Sequence, residues 1–223
     1  MKVKRKIVTI DGPAGSGKSS VSRLLSDRLG FIYMDTGAMY RAVALYACRE
    51  GVDLQDGKKL YKVCMDMDLE FMPDNGSPKI FLGKEDVTLE IRRPEMDMLS
   101  SNVSTVKEVR DAMTVMQRRI ASKGGVVAEG RDMGTVVFPW AEDKFYLTAT
   151  VEVRAFRRFL ERKDRGECPS LEEVETDLRK RDGQDEKREI APLRPAEDAI
   201  IIDTSHLSLQ QVVDKIMSII IRP

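Results

Sequence analysis

Lys6-Ile7-Val8-Thr9-Ile10-Asp11-Gly12-Pro13-Ala14-Gly15-Ser16-Gly17-Lys18-Ser19 begins as a β-branched run and ends as a glycine-rich loop. Lys6–Ile10 stops at Asp11-Gly12, as a buried parallel strand does before a turn. Gly12 to Ser19 fits G-x-x-x-x-G-K-S/T. In that pattern the glycines let backbone N–H groups turn inward around phosphate oxygens, the lysine reaches the outer phosphates, and the serine hydroxyl can ligate Mg2+. From Lys18 to Leu29 the apolar positions Val21, Leu24, Leu25 and Leu29 recur at helical spacing, and Gly30 stands where a helix stops. Strand, loop and helix together are the context the motif needs, because the helix N-terminus adds a potential favourable to anions. Gly15-x-Gly17-x-x-Ser20 falls one glycine short of the dinucleotide fingerprint and places Lys18 inside it, so the phosphate-loop reading prevails.

The rest of the chain alternates in the same manner. Phe31–Met34 reads as a second strand, and Met39, Val43 and Tyr46 with Ala42 and Ala47 as the next helix. Gly124–Glu129, Lys144–Leu147 and Ala199–Asp203 read as three more core strands, five in all, which makes an α/β layout. Between them Leu69–Met72 and Lys79–Leu82 are short alternating pieces separated by Pro73-Asp74-Asn75-Gly76-Ser77-Pro78, turn chemistry that joins antiparallel strands. A small β-rich insertion is expected there. Val106, Val109, Met113, Met116 and Ile120 form one apolar stripe on a long helix, with Arg110 and Gln117 sharing another face.

Composition limits what such a fold can do. The 223 residues carry 37 Lys+Arg and 37 Asp+Glu, a net charge of zero, whereas a general nucleic-acid binder needs a cationic surplus. Any basic site is therefore local. Hydrophobic residues at 42% and charged residues at 33% describe a soluble globular chain. Cys48, Cys64 and Cys168 are odd in number and widely spaced, which suggests neither a disulfide framework nor a zinc site. The lone imidazole, His206, sits in Ser205-His206-Leu207-Ser208 and reads as a surface helix cap rather than a catalytic base. The basic start (Lys2, Lys4, Arg5, Lys6) has too short an apolar run for a signal peptide. No segment approaches the roughly 18 apolar residues of a membrane span, so a cytoplasmic protein is expected. The tail Ile216–Ile221 reads as a buried helix end, and the chain as a monomer.

A phosphate loop leaves the reaction open. Guanine reading by Asn-Lys-x-Asp is excluded, since Asn75 precedes glycine and Asn102 precedes valine; no His-Arg-Asp of a protein kinase exists either. Transfer between two nucleotides brings two polyanions together and calls for cations from several segments. Arg154, Arg157, Arg158, Arg162, Lys163 and Arg165 crowd one stretch, with Arg154, Arg158 and Arg162 on one helical face and Phe156, Phe159 and Leu160 on another. Arg181, Asp185 and Arg188 face one way if Leu178–Glu189 is helical, although an ordinary surface ion pair also explains Arg181 and Asp185.

Taken in order, the chain resembles the bacterial cytidylate kinases, a family of nucleoside-monophosphate kinases. The resemblance is carried by Asp11–Ser19, Met34-Asp35-Thr36-Gly37-Ala38-Met39-Tyr40-Arg41, Ile91–Glu95 with Ser101 and Val109-Arg110, Glu129–Pro139, and Arg179–Asp182 with Asp185, Arg188 and Ala191-Pro192-Leu193. It implies a P-loop NTPase three-layer α/β fold with a central five-stranded parallel sheet, a single core spanning 1–223, an acceptor-side insertion at 63–100 and a lid at about 154–170. It also implies a reaction, ATP plus CMP or dCMP giving ADP plus CDP or dCDP, with Mg2+ as cofactor. Gly12, Pro13, Ala14, Gly15, Ser16, Gly17, Lys18, Ser19, Ser20 and Arg158 would then hold ATP, Ser19 on the metal side. Arg41, Arg131 and Arg188 would grip the acceptor phosphate and, with Lys18, serve transfer; Arg181 and Asp185 would hold the sugar. Thr36, Ser101, Arg110 and Asp132 would surround the cytosine, where polar groups paired to specific base atoms reject an analogue that leaves them unpaired. Val153 stands where the family usually has glutamate, and Arg93 where it more often has threonine. A monophosphate kinase of another base, such as UMP or AMP, is the alternative within the class; a regulatory P-loop ATPase is the alternative outside it.

Overall fold

A computed structural model describes residues 6–72 and 79–221. Lys2, Lys4 and Arg5 of the basic start and the turn expected at 73–78 lie outside the described residues. The chain divides into two compact units, Met1–Met34 with Lys123–Pro223, and Asp35–Ser122. The first unit starts with β1 (Ile7–Asp11), α1 (Lys18–Leu29) and β2 (Ile32–Asp35), the last residue of which opens the second unit. The second unit holds α2 (Thr36–Arg49), α3 (Gly57–Asp66), β3 (Leu69–Met72), β4 (Lys79–Leu82), β5 (Glu85–Asp86), α4 (Pro94–Val103) and α5 (Lys107–Ile120). The chain then returns to the first unit with β6 (Val126–Gly130), β7 (Asp143–Thr148), α6 (Val151–Asp164), α7 (Leu171–Lys187), β8 (Ile200–Asp203) and α8 (Leu209–Ile220).

The first unit is built on a five-stranded parallel sheet in the order β2-β6-β1-β7-β8. β1 lies at its centre, with Asp11 beside Gly130 of β6 on one side and Tyr146 of β7 on the other. A strand covered on both faces has to be apolar without alternation, and Val8, Thr9 and Ile10 are all fully buried. Val21 and Leu25 of α1 and Val212, Val213 and Ile216 of α8 close one face over Val8, Ile10, Val127, Phe145, Leu147 and Ile202. Sequential strands diverge to opposite sides of β1, so the carboxyl ends of β1, β6 and β7 form the switch point where α/β sheets bind ligands.

The second unit has its own core, in which Met39, Leu60, Ile80, Ile91 and Met113 are fully buried. β3, β4 and β5 make a small antiparallel sheet, in register at Leu69–Leu82 and Phe71–Ile80. No helix among the described residues is long and apolar enough to cross a membrane.

Five local expectations shift. Gly124 and Gly125 have φ +63° and +71°, so they form a turn and β6 starts at Val126. Ser208, not His206, caps α8: its hydroxyl accepts from Gln211 N–H while the Gln211 side chain accepts from Ser208 N–H. On α6 the buried residues are Arg154 and Ala155, with Phe159 against Val174 and Leu178, while Phe156 and Leu160 point to solvent. Arg188 is extended, with φ −63° and ψ 140°, because α7 ends at Lys187; it therefore leaves the helical face it was expected to share. Of the tail, Ile216 is buried and Ile221 exposed.

Candidate active site

The loop after β1 has to be glycine for two separate reasons. A Cβ on Gly12 would lie 2.0 Å from the Leu147 carbonyl oxygen, and one on Gly15 2.9 Å from the Cβ and carbonyl oxygen of Arg154. Both glycines also have positive φ. The loop's carbonyls are held by side chains. Lys18 Nζ donates to Pro13 O at 2.6 Å, Arg154 Nη1 to Ala14 O at 3.1 Å, and Thr204 Oγ1 to Ser16 O at 3.0 Å, with Thr204 itself gripped by Arg157. Carbonyls occupied in this way leave the loop's N–H groups to meet an anion. Arg154 is therefore a buried brace, tied also to Asp182 on α7 and to the Ala149 carbonyl, rather than one more exposed cation of the arginine-rich stretch. Arg158 donates to Glu161 on its own helix.

Lys18 is almost wholly buried, and burial foremost, then the charge of Arg131, lowers its pKa to about 7. Ser19 Oγ donates to Glu129 Oε2 at 3.0 Å, and the Tyr33 hydroxyl donates to Oε1 of the same carboxylate. Among the described residues no group of three His, Cys, Asp or Glu could hold a metal by itself. One serine hydroxyl beside one carboxylate suits a Mg2+ that arrives with its nucleotide and keeps most of its waters.

Beyond β6 the unit gathers charge out of water. Arg131 Nε donates to Asp185 Oδ2 at 2.7 Å, while Arg188 lies 4.0 Å from Asp185 and 3.8 Å from Asp132. Arg188 Nε also donates to the carbonyl of Ala191, a residue turned to φ +50°. Asp185 is buried, so the surface-pair reading of Arg181 and Asp185 does not hold. Burial alone would raise its carboxyl, yet Arg131, then Arg181 and Arg188, hold it below its ordinary value. Arg131 stays fully charged for the reciprocal reason: burial opposes the charge and Asp185 overcomes it. The cluster thus presents preorganised guanidinium groups already desolvated.

In the second unit Asp35 caps α2 through Ala38 N–H at 2.8 Å and holds Arg41 Nη2 at 3.4 Å. Arg41 Nε and Ser101 Oγ are buried with no hydrogen-bond partner among the described residues. Thr36 and Tyr40 sit one turn apart on α2. The Arg110 guanidinium lies 5.8 Å from the Tyr40 ring centre and donates to Ser104 O, and Ser104 in turn donates to Ser101 O. Ser101 and Arg110 are thus joined through Ser104, and Thr36 is buried at the start of α2 in the same unit. Glu129, Tyr33, Asp11 and Asp182 were missed from sequence. Their partners lie far along the chain, Ser19 and Glu129 being 110 residues apart, and a carboxylate after a strand carries no spacing signal of its own.

A phosphate loop at the carboxyl end of the central strand of a parallel sheet, opening directly into α1, defines a P-loop nucleotide-binding protein of the α/β class. A sequence model described as cytidylate kinase matches residues 8–222. The cytidylate kinase of Geobacter sulfurreducens is 48% identical over 214 residues, covering 96% of this chain and 92% of that protein. That of Caldicellulosiruptor bescii is 45% identical over 217 residues, covering 97% and 96%. A solved structure of an uncharacterized protein from Eubacterium ventriosum superposes with a TM-score of 0.52 at 12% identity over 97% of this chain and 98% of that one, a likeness of fold. The chain belongs to the cytidylate kinase family.

Proposed function

We propose that this protein transfers the γ-phosphoryl group of ATP to CMP or dCMP, releasing ADP and CDP or dCDP. The observation that carries the reading is the buried cluster of Arg131 and Arg188 around Asp185 and Asp132, set in the same unit as a phosphate loop. A loop alone serves any ATPase; a second, desolvated cationic site serves a second anion. ATP would lie on the N–H groups of Gly12–Ser20 with Lys18 at its outer phosphates, and Arg158 would exchange Glu161 for them as the lid at about 154–170 closes and excludes water. Ser19 and Glu129 would hold Mg2+, which would supply neutralising charge to the donor phosphates. Arg41, Arg131 and Arg188 would bind the CMP phosphate, whose oxygen attacks the γ-phosphorus as the bond to the ADP oxygen breaks. Transfer then needs positioning and charge cancellation, with no covalent enzyme intermediate.

Arg181 and Asp185 would hold the sugar. The hydroxyl of Ser101 and the guanidinium of Arg110, with Thr36 and Asp132, would read the cytosine, and the insertion at 63–100 would serve the acceptor side. The unpartnered buried atoms of Ser101 and Arg41 support this, since such groups are costly unless a ligand completes them. The balanced charge supports a cytoplasmic enzyme that uses neither nucleic acid nor membrane, and we read it as a monomer. Transfer from labelled ATP to a panel of monophosphates tests the proposal. CMP and dCMP should be used well, UMP about tenfold less and AMP least, because one unpaired buried polar group costs on the order of 1–3 kcal/mol. Equal rates across the panel would remove the cytosine assignment, and ATP turnover indifferent to every monophosphate would remove the kinase.

A further inference from the structure

Asp11 takes no part in the roles above, yet the residue is only 3% exposed and both of its carboxylate oxygens are occupied. Met133 N–H donates to Oδ1 at 2.9 Å and Gly134 N–H to Oδ2 at 2.8 Å. Those donors begin the single wide helical turn Met133–Val137, whose first N–H groups have no partner within the turn. A carboxylate is the short side chain with two acceptors and no donor; an amide would set an N–H against an N–H. Gly134 allows little slack, since a Cβ there would stand 3.2 Å from Thr9 Oγ1, 3.3 Å from Lys144 Cδ and 3.4 Å from Asp11 Oδ2.

The geometry has a direction. Arg131 and Asp132 sit between two fixed points: Gly130, paired with Asp11 in the sheet, and Met133-Gly134, held by the Asp11 carboxylate. The main chain of Asp11, meanwhile, leads straight into Gly12. We infer that Asp11 is a positioning residue for the acceptor, its carboxylate fixing the backbone after Asp132 and so aiming Arg131 and Asp132 at CMP while its main chain carries the ATP loop. The inference rests on the assignment of Arg131 and Asp132 to CMP. Burial drives this carboxyl up to about 7, against the N–H groups of Gly134 and Met133, so it is an expensive group to keep for packing alone. The β1 ladder with β6 and β7 holds the Asp11 backbone independently of its side chain, so the carboxylate reaches the ATP side only through its charge near Lys18, a smaller influence there than burial and Arg131.

Steady-state kinetics of the wild type, Asp11→Asn, Gly134→Ala and the double variant, with thermal melts of each, decide the matter. Asp11→Asn should raise KM for CMP about tenfold and narrow the CMP:UMP preference, while KM for ATP moves less than about threefold. Gly134→Ala should raise KM for CMP at least about threefold, and the double variant should be no worse than Asp11→Asn, because both changes act on one clamp. An equal rise in both KM values, or a folded Asp11→Asn with wild-type KM for CMP, overturns the inference. Should Asp11→Asn not fold, a KM for CMP within about twofold of wild type in Gly134→Ala overturns it. A wild type that used CMP, UMP and AMP alike would overturn the acceptor assignment and this inference with it, and the wild-type data alone would tell that case apart.

Discussion

Lys18 donates to the carbonyl of Pro13 in its own loop at 2.6 Å and approaches Ser16 Oγ at 3.4 Å. A lysine with a pKa of about 7 is mostly neutral at about pH 8, because burial and then Arg131 disfavour its charge. Phosphate oxygens brought beside it favour the charged form, so the pKa rises on ATP binding and the protein takes up a proton from the buffer. ATP itself is almost fully ionised at about pH 8, so the proton goes to the protein, where Lys18 is the group placed at the phosphates. Calorimetry in buffers of different ionisation enthalpy should therefore give a positive slope, on the order of half a proton or more per ATP, and Lys18→Met should bring it near zero. An equal slope in the variant would place the proton elsewhere. Ser19, Glu129 and Tyr33 illustrate the same economy of a buried polar group: each oxygen of Glu129 has a donor, which fixes the orientation of the carboxylate.

Helix α6 departs furthest from what its sequence suggests, and its departure has a mechanical use. Its arginines recur at helical spacing and read as a charged face, yet Arg154 turns inward to Asp182 of α7 and to the Ala14 carbonyl of the loop. Breaking one partner of such a buried pair strands the other, at a cost of about 3–5 kcal/mol. Asp182→Ala should thus lower the urea midpoint markedly, and Arg154→Met in the same chain should recover part of the loss; a loss of unfolding free energy of less than about 1 kcal/mol in Asp182→Ala would deny the brace. Spacing alone could not reveal this, because the same repeat describes an exposed cation and a buried one, and only the residue it meets, 28 positions on, decides which it is. β1, α1 and the glycine loop were readable because local pattern and local chemistry agree there. Gly124-Gly125 was not, since two glycines before a β-branched run look like strand until their positive φ is known. The end of α7 escaped for a related reason: Arg188 is a good helix former whose place outside the helix is set by Asp132, Asp185 and the Ala191 carbonyl.

At the scale of the molecule, the chain leaves its first unit after Met34 and returns at Lys123, so one core is completed by segments on either side of another. The two cores share no residue: Leu25, Val127 and Phe145 belong to the first, Met39, Leu60 and Ile80 to the second. The proposed roles divide only in part in the same way: every residue assigned to ATP lies in the first unit together with Arg131, Asp132, Arg181, Asp185 and Arg188 of the CMP set, while Thr36, Arg41, Ser101 and Arg110 of the CMP set lie in the second. A cavity cut into the second core should therefore loosen acceptor recognition and spare donor binding. Leu60 is fully buried on α3, and Leu60→Ala should destabilise by about 2–5 kcal/mol. At about 15 °C, where the variant remains folded, KM for CMP should rise several-fold while the Kd for ATP stays within about twofold of wild type. Leu25→Ala, the matching cavity in the first core beneath α1, should instead weaken ATP, because α1 carries Lys18 and Ser19 at its first turn. If Leu60→Ala weakened ATP as much as CMP, the two units would be one cooperative block in function, and the division of labour between them would have to be given up.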